Sequence, residues 1–313
     1  MRLASELEIP GIPPAFKSEK ADTVFEMLDF GERPVWDHLA TKRLVAVCGG
    51  QGQRLLELFR SPRYYIINFR DSLEFWVSIN GHRVLCFQRR PTSLDLVRQV
   101  LTGWVFTLLL ALRSVGGLHA GTVAIDGKAI GVAATSGEGK STLVAALGLA
   151  GATVLGDEVL AFQGRSDAIY TMPGCREIRV SLETLRHLET IFTARRASVR
   201  PSQDKAAVFF GDEVFDPRWD SMPLDRIYML ERRDPSSGNR VEVSEIGPRE
   251  APWALMGCTF ITSRFHPEFL NQQFKRICEL TARTRILRLS FPRDMNQVPK
   301  VVEAVMERGR CPA

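Results

Sequence analysis

The chain has 313 residues, of which 45% are hydrophobic and 25% charged, and its 41 basic and 36 acidic side chains give a net charge of +5. These proportions are those of an ordinary soluble globular protein, and so small a positive excess does not by itself indicate nucleic-acid binding. The length predicts one large domain, or one domain with a smaller extension.

Neither the N-terminus nor the cysteines indicate export, and we expect a cytoplasmic protein. The first residues include acidic side chains and lack an apolar core, so we do not expect a signal peptide. The apolar run Val100–Leu112 covers thirteen residues, whereas a membrane-spanning helix needs about 20, so we expect a buried core helix and no membrane insertion. The cysteines have no paired spacing, which predicts reduced thiols and no zinc site. They are Cys48, Cys86, Cys175, Cys258, Cys278 and Cys311.

Residues 1–92 are predicted to form a β-rich N-terminal region, a candidate for substrate recognition. The runs Tyr64–Phe69 and Leu73–Ile79 are rich in β-branched and aromatic residues, and Asn80-Gly81 after the second run indicates a hairpin to the strand at 82–87. The glycine cluster within residues 48–54 is interpreted as a turn. Ser93 or Thr92 can cap the helix that follows, so we place the start of the second domain, 93–313, here.

A second hairpin leads into the most informative stretch of the chain. Leu118–Ile125 alternates like a strand, Asp126-Gly127 is typical of a tight turn, and Lys128–Ala133 returns as the second arm. The sequence then continues Ala134-Thr-Ser-Gly-Glu-Gly-Lys-Ser141. This is a phosphate-binding loop whose first consensus glycine is replaced by Ala134, and a good helix-forming segment follows it.

The loop has the chemistry needed to hold a triphosphate. Its glycines allow backbone N–H groups to turn towards an anion, and the following helix directs its positive dipole end to the same point. Lys140 adds a positive charge near the outer phosphates, and the Ser141 hydroxyl is placed to bind Mg²⁺. The predicted nucleotide-binding residues are Ser136, Gly137, Glu138, Gly139, Lys140, Ser141 and Thr142.

An acidic pair follows the next predicted strand. Asp157 and Glu158 come directly after Thr153–Gly156, and the ends of strands carry the sites of α/β sheets. One carboxylate could bind or orient Mg²⁺ while the other meets the hydroxyl of a phosphate acceptor. Two neighbouring anions also raise the pKa of one of them, which suits a general base. The alternative is a solvated acidic turn.

Three further side chains are candidates for the same site. Glu177 and Arg179 lie two residues apart, so in an extended segment they share a face, where one could bind metal and the other stabilise transition-state charge. A surface ion pair is the alternative. His119 opens the hairpin whose second arm ends at the loop, and the pairing of hairpin ends predicts that it lies near Ala134. A structural histidine is the alternative there.

The rest of the chain alternates short strands and helices. Strands are predicted at 159–162 and 168–172, and Ser181 precedes a helix with apolar residues at helical spacing. Residues 194–202 are interpreted as an exposed loop, and residues 226–231 and 241–246 as the arms of another hairpin. Helices at 252–262 and 267–281, a strand at 286–291 and a helix at 295–308 complete the prediction.

Residues 115–182 resemble the catalytic domain of the HPr kinase/phosphorylase family, and in particular its relatives associated with lasso-peptide biosynthesis. The family pattern has a histidine at the head of a hairpin, a Gly-x-Ser-Gly-x-Gly-Lys-Ser loop, an acidic pair after a strand, and then Glu-Ile-Arg. In this chain these are His119, Ala134 to Ser141, Asp157 with Glu158, and Glu177-Ile178-Arg179.

The resemblance implies a mixed α/β (α+β) sheet with a P-loop fold similar to the nucleotide domain of phosphoenolpyruvate carboxykinase. It also implies phosphoryl transfer from ATP, with Mg²⁺, to a serine hydroxyl. Asp157 would be the catalytic base, with His119, Glu158 and Arg179 as further catalytic residues. The expected metal ligands are Ser141, Asp157, Glu158 and Glu177. Three departures are the Glu in Asp157-Glu158, the alanine at 134, and Val180-Ser181 where HPr kinases continue Gly-Ile-Gly.

Three functions compete at this point. The first is a kinase acting on a serine of a peptide or small protein, such as a ribosomal peptide precursor of the lasso type. The second is an HPr serine kinase/phosphorylase, against which the missing Gly-Ile-Gly counts. The third is a nucleotide-binding regulatory module that transfers nothing. We expect no nucleic-acid partner, because the basic residues near Arg195 have no interleaved aromatics. The sequence leaves open whether the chain forms a homo-oligomer.

Overall fold

The structure, a computed structural model, describes residues 1–12, 20–34, 41–48, 54–135, 137–200, 205–210, 221–234, 240–260 and 267–309. Its internal contacts divide the chain into two units. Unit 1 comprises Met1–Ile9, Pro13–Val115 and Phe260–Gln272, and unit 2 comprises Pro10–Ile12, Gly116–Thr259 and Gln273–Ala313. The boundary expected at residue 92 thus lies within unit 1, because the helix after it packs on the sheet before it.

Unit 1 is built on a mainly antiparallel sheet in the order β1-β2-β7-β6-β5-β4-β3. The alternation read from the sequence and the turn at Asn80-Gly81 account for the central pairs, since each strand follows its neighbour along the chain. The strands are β1 (Leu3–Ser5), β2 (Thr23–Leu28), β3 (Lys42–Cys48), β4 (Arg54–Arg60), β5 (Tyr64–Phe69), β6 (Leu73–Ser78) and β7 (Arg83–Gln88). Most of the glycine cluster interpreted as a turn lies outside the described residues.

A long apolar helix packs on this sheet. The Ser93 side chain caps it by accepting a hydrogen bond from the Leu96 N–H, as the sequence predicts. The helix runs through α1 (Leu94–Val100), a π-helical turn (Leu101–Val105) and α2 (Phe106–Leu112). Its 19 residues are long and apolar enough to cross a membrane. Val97, Leu101 and Leu108 are nevertheless fully buried in one core with the sheet, which is the packing of a core helix.

Unit 2 is built on a mixed sheet with the order β11-β9-β10-β17-β13-β12-β8, extended from β17 by β19 and then β18. Its strands are β8 (Gly116–Leu118), β9 (Ala120–Ile125), β10 (Lys128–Ala133), β11 (Thr153–Gly156), β12 (Leu160–Gly164), β13 (Ile169–Met172), β17 (Met222–Arg233), β18 (Glu242–Glu245) and β19 (Arg285–Pro292). A separate small sheet has the order β14-β16-β15, from β14 (Ile178–Val180), β15 (Ser198–Arg200) and β16 (Ala206–Phe209).

Helices cover both faces of the large sheet, so the predicted mixed α/β class is confirmed. One face carries a core with residues from α3 (Lys140–Leu149), α4 (Leu182–Ile191) and α7 (Val298–Gly309). The other face is covered by α5 (Ala251–Gly257) and α6 (Pro267–Arg283). Strand alternation explains the two cores, because Tyr228 and Leu230 of β17 point to the first and Ile227 to the second.

The β9–β10 hairpin has the predicted pairing. Ile125 lies opposite Lys128 next to the turn, and Ala120 lies opposite Ala133 at the open end. Asp126 and Gly127 both have positive φ, at 49° and 75°, as a tight turn of this kind requires. The strand that enters the glycine-rich loop after Ala133 is therefore antiparallel to β9 and parallel to β17.

Two local predictions were wrong. β17 and β18 do not form a hairpin, because β19 lies between them, parallel to β17 and antiparallel to β18. The segment at 194–202, interpreted as an exposed loop, contains β15, which pairs with β16. In the first case the strand that pairs with both β17 and β18 comes from much later in the chain, so the local pattern does not indicate it. In the second case the pairing of β16 with the distant β14 completes the small sheet.

Candidate active site

The loop between β10 and α3 has the backbone geometry of an anion-binding turn. Gly137 and Gly139 have φ of +88° and +90°, values that residues with a side chain rarely adopt. The first intrahelical hydrogen bond runs from the Leu143 N–H to the Gly139 carbonyl, so the N–H groups of Lys140, Ser141 and Thr142 have no partner inside the helix. Among the described residues no backbone group outside the helix accepts from them either, so they can bind an anion at the positive end of α3.

The alanine that replaces the first consensus glycine is compatible with this loop. Ala134 is 2% exposed, and its φ is not positive, so its Cβ causes no backbone strain. It packs in the same core as the apolar face of α3. Ser136, predicted to bind nucleotide, lies outside the described residues.

Lys140 and Asp157 form a buried ion pair. The Lys140 Nζ lies 2.9 Å from the Asp157 Oδ1, and the same ammonium donates to the Asp157 backbone carbonyl. Their side chains are 9% and 4% exposed. β9 lies between β10 and β11 in the sheet, and the ends of those two strands place the loop and the acidic pair beside each other. This is the proximity that the sequence predicts for the two residues.

Gly121 makes room for the carboxylate, a role that the sequence did not indicate. A Cβ at this position of β9 would lie 3.3 Å from the Asp157 Oδ1 and 2.4 Å from the Val144 Cγ2. Real Cβ contacts do not reach the second distance, so a side chain here would displace α3 or the ion pair. Close approach of backbone and site is a known use of glycine in strands.

His119 lies between β8 and β9 and contacts the second acidic residue. Its backbone N–H donates to the Cys258 carbonyl at 2.7 Å, which holds the chain where the two strands meet. The Nδ1 lies 3.2 Å from the Glu158 backbone carbonyl and 3.6 Å from the Glu158 Oε1. Burial lowers the pKa of His119, and the nearby Lys140 charge lowers it further. The imidazole is therefore neutral at pH 7.

Glu177 lies between two arginines. Its Oε1 accepts from the Arg179 Nε at 3.0 Å, and its Oε2 accepts from the Arg200 Nη2 at 2.9 Å. The Glu177 side chain is 9% exposed, so this is a largely buried cluster and not the surface pair that the sequence left open. Arg200 was not among the predicted residues, because only the β15–β16 pairing brings it here.

The segment before Glu177 packs against the strand that carries the acidic pair. The Gly174 N–H donates to the Leu155 carbonyl at 2.8 Å. Burial raises the pKa of the Cys175 thiol to about 12, and the carboxylates of Glu177 and Glu158 both add to the rise. The hydrogen bond from Gly174 to Leu155 thus holds the start of the segment that leads to Glu177 beside β11.

The predicted residues assemble as three contacting groups. Lys140 pairs with Asp157, His119 with Glu158, and Glu177 with its two arginines. Ser141 and Thr142 lie in the first turn of α3, half-buried. Within the described part of the chain no three His, Cys, Asp or Glu side chains form a ready metal cage. Mg²⁺ commonly takes one or two protein ligands and completes its shell with phosphates and water, so a preformed cage is not required for it.

Comparison with known proteins gives matches among solved structures and no sequence match. No family model and no curated protein matches the chain. Among solved structures, the Hpr(Ser) kinase/phosphatase from Coxiella burnetii aligns with 61% of this chain and 95% of its own length. The two are 11% identical and superpose with a TM-score of 0.30. So distant a likeness carries no argument, and what this chain binds must be argued from its own residues.

Proposed function

We propose that the protein is an ATP- and Mg²⁺-dependent kinase that transfers the γ-phosphoryl group to a serine hydroxyl of a peptide or small protein. The observation that supports this best is the contact between the Lys140 ammonium and the Asp157 carboxylate, at 2.9 Å. A cation at the end of a phosphate loop and a carboxylate within its reach are the two groups that phosphoryl transfer to a hydroxyl requires.

The loop residues fit a bound triphosphate. The positive φ of Gly137 and Gly139 and the unpaired N–H groups at the start of α3 suit phosphate oxygens. A Cβ at Gly137 would have no atom within 4 Å, so this side of the loop is open. Mg²⁺ would neutralise phosphate charge, with the Ser141 hydroxyl and a carboxylate of the acidic pair as its protein ligands.

Asp157 is proposed as the base. In the structure its carboxylate is bound to Lys140, and a phosphate that competes for the ammonium would release one carboxylate oxygen. The serine Oγ–H proton then passes to Asp157 as the Oγ–P bond forms. The bond from the γ-phosphorus to its bridging oxygen breaks, and ADP leaves with that electron pair. Lys140 stays beside the oxygens that gain charge.

The other two groups support the same reaction. A neutral His119 against Glu158 fixes the position of that carboxylate and adds no positive charge that would compete for it. Arg179, held by Glu177, is proposed to stabilise charge on the transferred group. The serine acceptor, and a precursor peptide of the lasso type as the acceptor molecule, follow from the motif resemblance alone.

The test is transfer of label from [γ-³²P]ATP, with Mg²⁺, to serine-containing peptides and to HPr. We expect a labelled serine peptide with the wild-type chain and a loss of at least about a hundredfold with Asp157→Asn, because a positioned base contributes about 10²–10⁴ in rate. Asp126→Asn is the matched control. It removes the same charge at the other end of the β9–β10 hairpin, and asparagine tolerates the positive φ there.

The outcomes separate the competing functions. Label on HPr, with reversal by pyrophosphate, would identify an HPr kinase/phosphorylase instead. Bound ATP without transfer to any peptide would indicate a regulatory nucleotide-binding module. Equal loss with Asp157→Asn and Asp126→Asn, or none with either, would remove Asp157 from the reaction.

A further inference from the structure

β17 ends beside the phosphate loop, on the face that carries α3. It is parallel to β10 and adjacent to it, and Tyr228 and Leu230 share a core with the apolar residues of α3. Side chains alternate along a strand, so Arg232 points to the same face, two residues further towards the start of that helix. An arginine thus lies where the loop turns into α3.

The guanidinium of Arg232 rests on the glycine at the helix N-terminus. A Cβ added to Gly139 would lie 2.8 Å from its Nη2 and 3.0 Å from its Cζ. The Nε is buried and has no hydrogen-bond partner in the part of the chain that the structure describes. A buried guanidinium nitrogen without an acceptor is costly unless something else supplies one.

A second arginine approaches from β19. Arg293 follows the last residue of that strand, and its backbone N–H donates to the Arg233 carbonyl at 3.0 Å. Burial lowers the pKa of Arg232, and the nearby Arg293 charge lowers it further, while Glu138 of the loop opposes this in part. Neither arginine side chain has an ion pair with the described residues. Arg232 thus carries its charge beside a helix N-terminus that is itself positive.

We propose that Arg232 is a second cationic contact for the phosphates of the bound nucleotide, on the side of its α- and β-phosphates. This inference rests on the proposed nucleotide binding. Backbone N–H groups of such a loop hold the α- and β-phosphates, and the loop lysine reaches the β- and γ-phosphates. Arg232 lies against the backbone at Gly139, and Lys140 extends away to Asp157. The arginine is therefore proposed to hold the part of the nucleotide that leaves as ADP.

Binding is tested first with ADP and inorganic pyrophosphate, by calorimetry and by competition. We expect Arg232→Met to weaken both by about ten- to a hundredfold, the range for losing hydrogen bonds to a charged group. Arg232→Lys should fall between wild type and Arg232→Met, because it keeps the charge and loses the planar fork. Arg285→Met, at the opposite end of β19 and exposed, is the control and should change neither affinity.

Two further readouts distinguish a phosphate contact from a structural one. Without ligand, Arg232→Met should melt at the wild-type temperature or above, because a positive charge no longer lies beside the positive end of α3. ADP should raise the melting temperature of the variant less than that of the wild type. If transfer occurs, KM for ATP should rise, because the contact already holds the nucleotide in the ground state. A contact on the β-phosphate should also lower kcat, because that group gains charge as ADP leaves.

Each failure has its own meaning. ADP binding by the wild type with unchanged affinity in Arg232→Met overturns this inference and leaves the kinase proposal intact. Weaker ADP binding with unaltered pyrophosphate binding would place Arg232 on the base and overturn it as well. A lower kcat at unchanged KM would move the contact to the γ-phosphate and refute the assignment. If no phosphoryl transfer is detected but Arg232→Met weakens the binding of ADP and pyrophosphate, the kinase proposal fails and the assignment of Arg232 is kept.

Discussion

The buried ion pair of Lys140 and Asp157 should be detectable in the stability of the ligand-free protein. The two side chains are 9% and 4% exposed, with the ammonium 2.9 Å from the carboxylate. Removing one partner of such a pair leaves a buried charge without compensation, which costs about 3–5 kcal/mol. We expect Asp157→Asn to cost about 3 kcal/mol, the lower end, because the amide oxygen still accepts from Lys140. Lys140→Met should cost as much or more, because the Asp157 backbone carbonyl also loses its donor.

The double variant decides whether the two groups interact. With both charges removed, neither is left buried and unpaired, so the double variant should be no less stable than the worse single variant. The implied coupling is about 2–3 kcal/mol. The free energies of unfolding come from urea titrations of the four proteins, followed by circular dichroism, with the m-value checked for constancy.

An exposed ion pair is the control for this cycle. Arg283 and Glu279 are 3.5 Å apart at i,i+4 spacing in α6, with 41% and 42% exposure. Their coupling should be about 0.3–0.5 kcal/mol, since water screens the pair. If the Lys140 and Asp157 variants were additive, or coupled no more strongly than this pair, the two side chains would not meet in a buried site and the catalytic proposal would lose its main support.

Three other changes test the site from different sides. Gly139→Ala should lower the free energy of unfolding by about 1–2 kcal/mol, because alanine is strained at φ +90°. It should also abolish ADP binding measured by calorimetry, because the added methyl group closes the anion site. Retained ADP affinity would contradict the assignment of the loop. Gly121→Ala should lower the free energy of unfolding by about 1–3 kcal/mol through overpacking. Adding Val144→Ala removes the methyl group 2.4 Å from the new Cβ and should restore part of that stability in urea titrations. If the effects of the two substitutions on stability were additive, the contact would be excluded. The pKa of His119 is lowered in the folded protein, so the unfolded chain binds its proton first, and folding stability should fall as pH drops below about 6.5. His119→Gln should flatten this pH dependence of stability. An unchanged dependence in the variant would show that the pKa of His119 is not lowered in the folded protein.

Much of the site's local framework was predictable from short stretches of sequence. Asp126-Gly127 between alternating runs predicts the hairpin, and the hairpin pairs Ala120 with Ala133 as expected. Ser93 before an apolar run predicts a cap, and its hydroxyl oxygen accepts from the helix. In each case the residues that determine the structure lie within a few positions of one another, so pattern and turn chemistry suffice.

Other contacts could not be predicted, because they depend on strands distant in the chain. Nothing near Arg200 indicates that β16, the partner of β15, will also pair with the distant β14 and so bring the Arg200 guanidinium to Glu177. The segment at 226–231 was correctly interpreted as a strand, but its partner β19 begins at Arg285. The incorrect hairpin with residues 241–246 was the nearest local alternative, and local signals could not exclude it.

Short-range patterns in the sequence place a glycine-rich loop, an acidic pair and a histidine at the ends of particular strands, since turn residues and alternation act over a few positions. Only the tertiary structure decided that Lys140 is paired with Asp157, that Gly121 clears space for the carboxylate, and that Arg232 lies on Gly139. These contacts follow from the order of strands in the sheet, which is set by burial on both of its faces and not by any local segment.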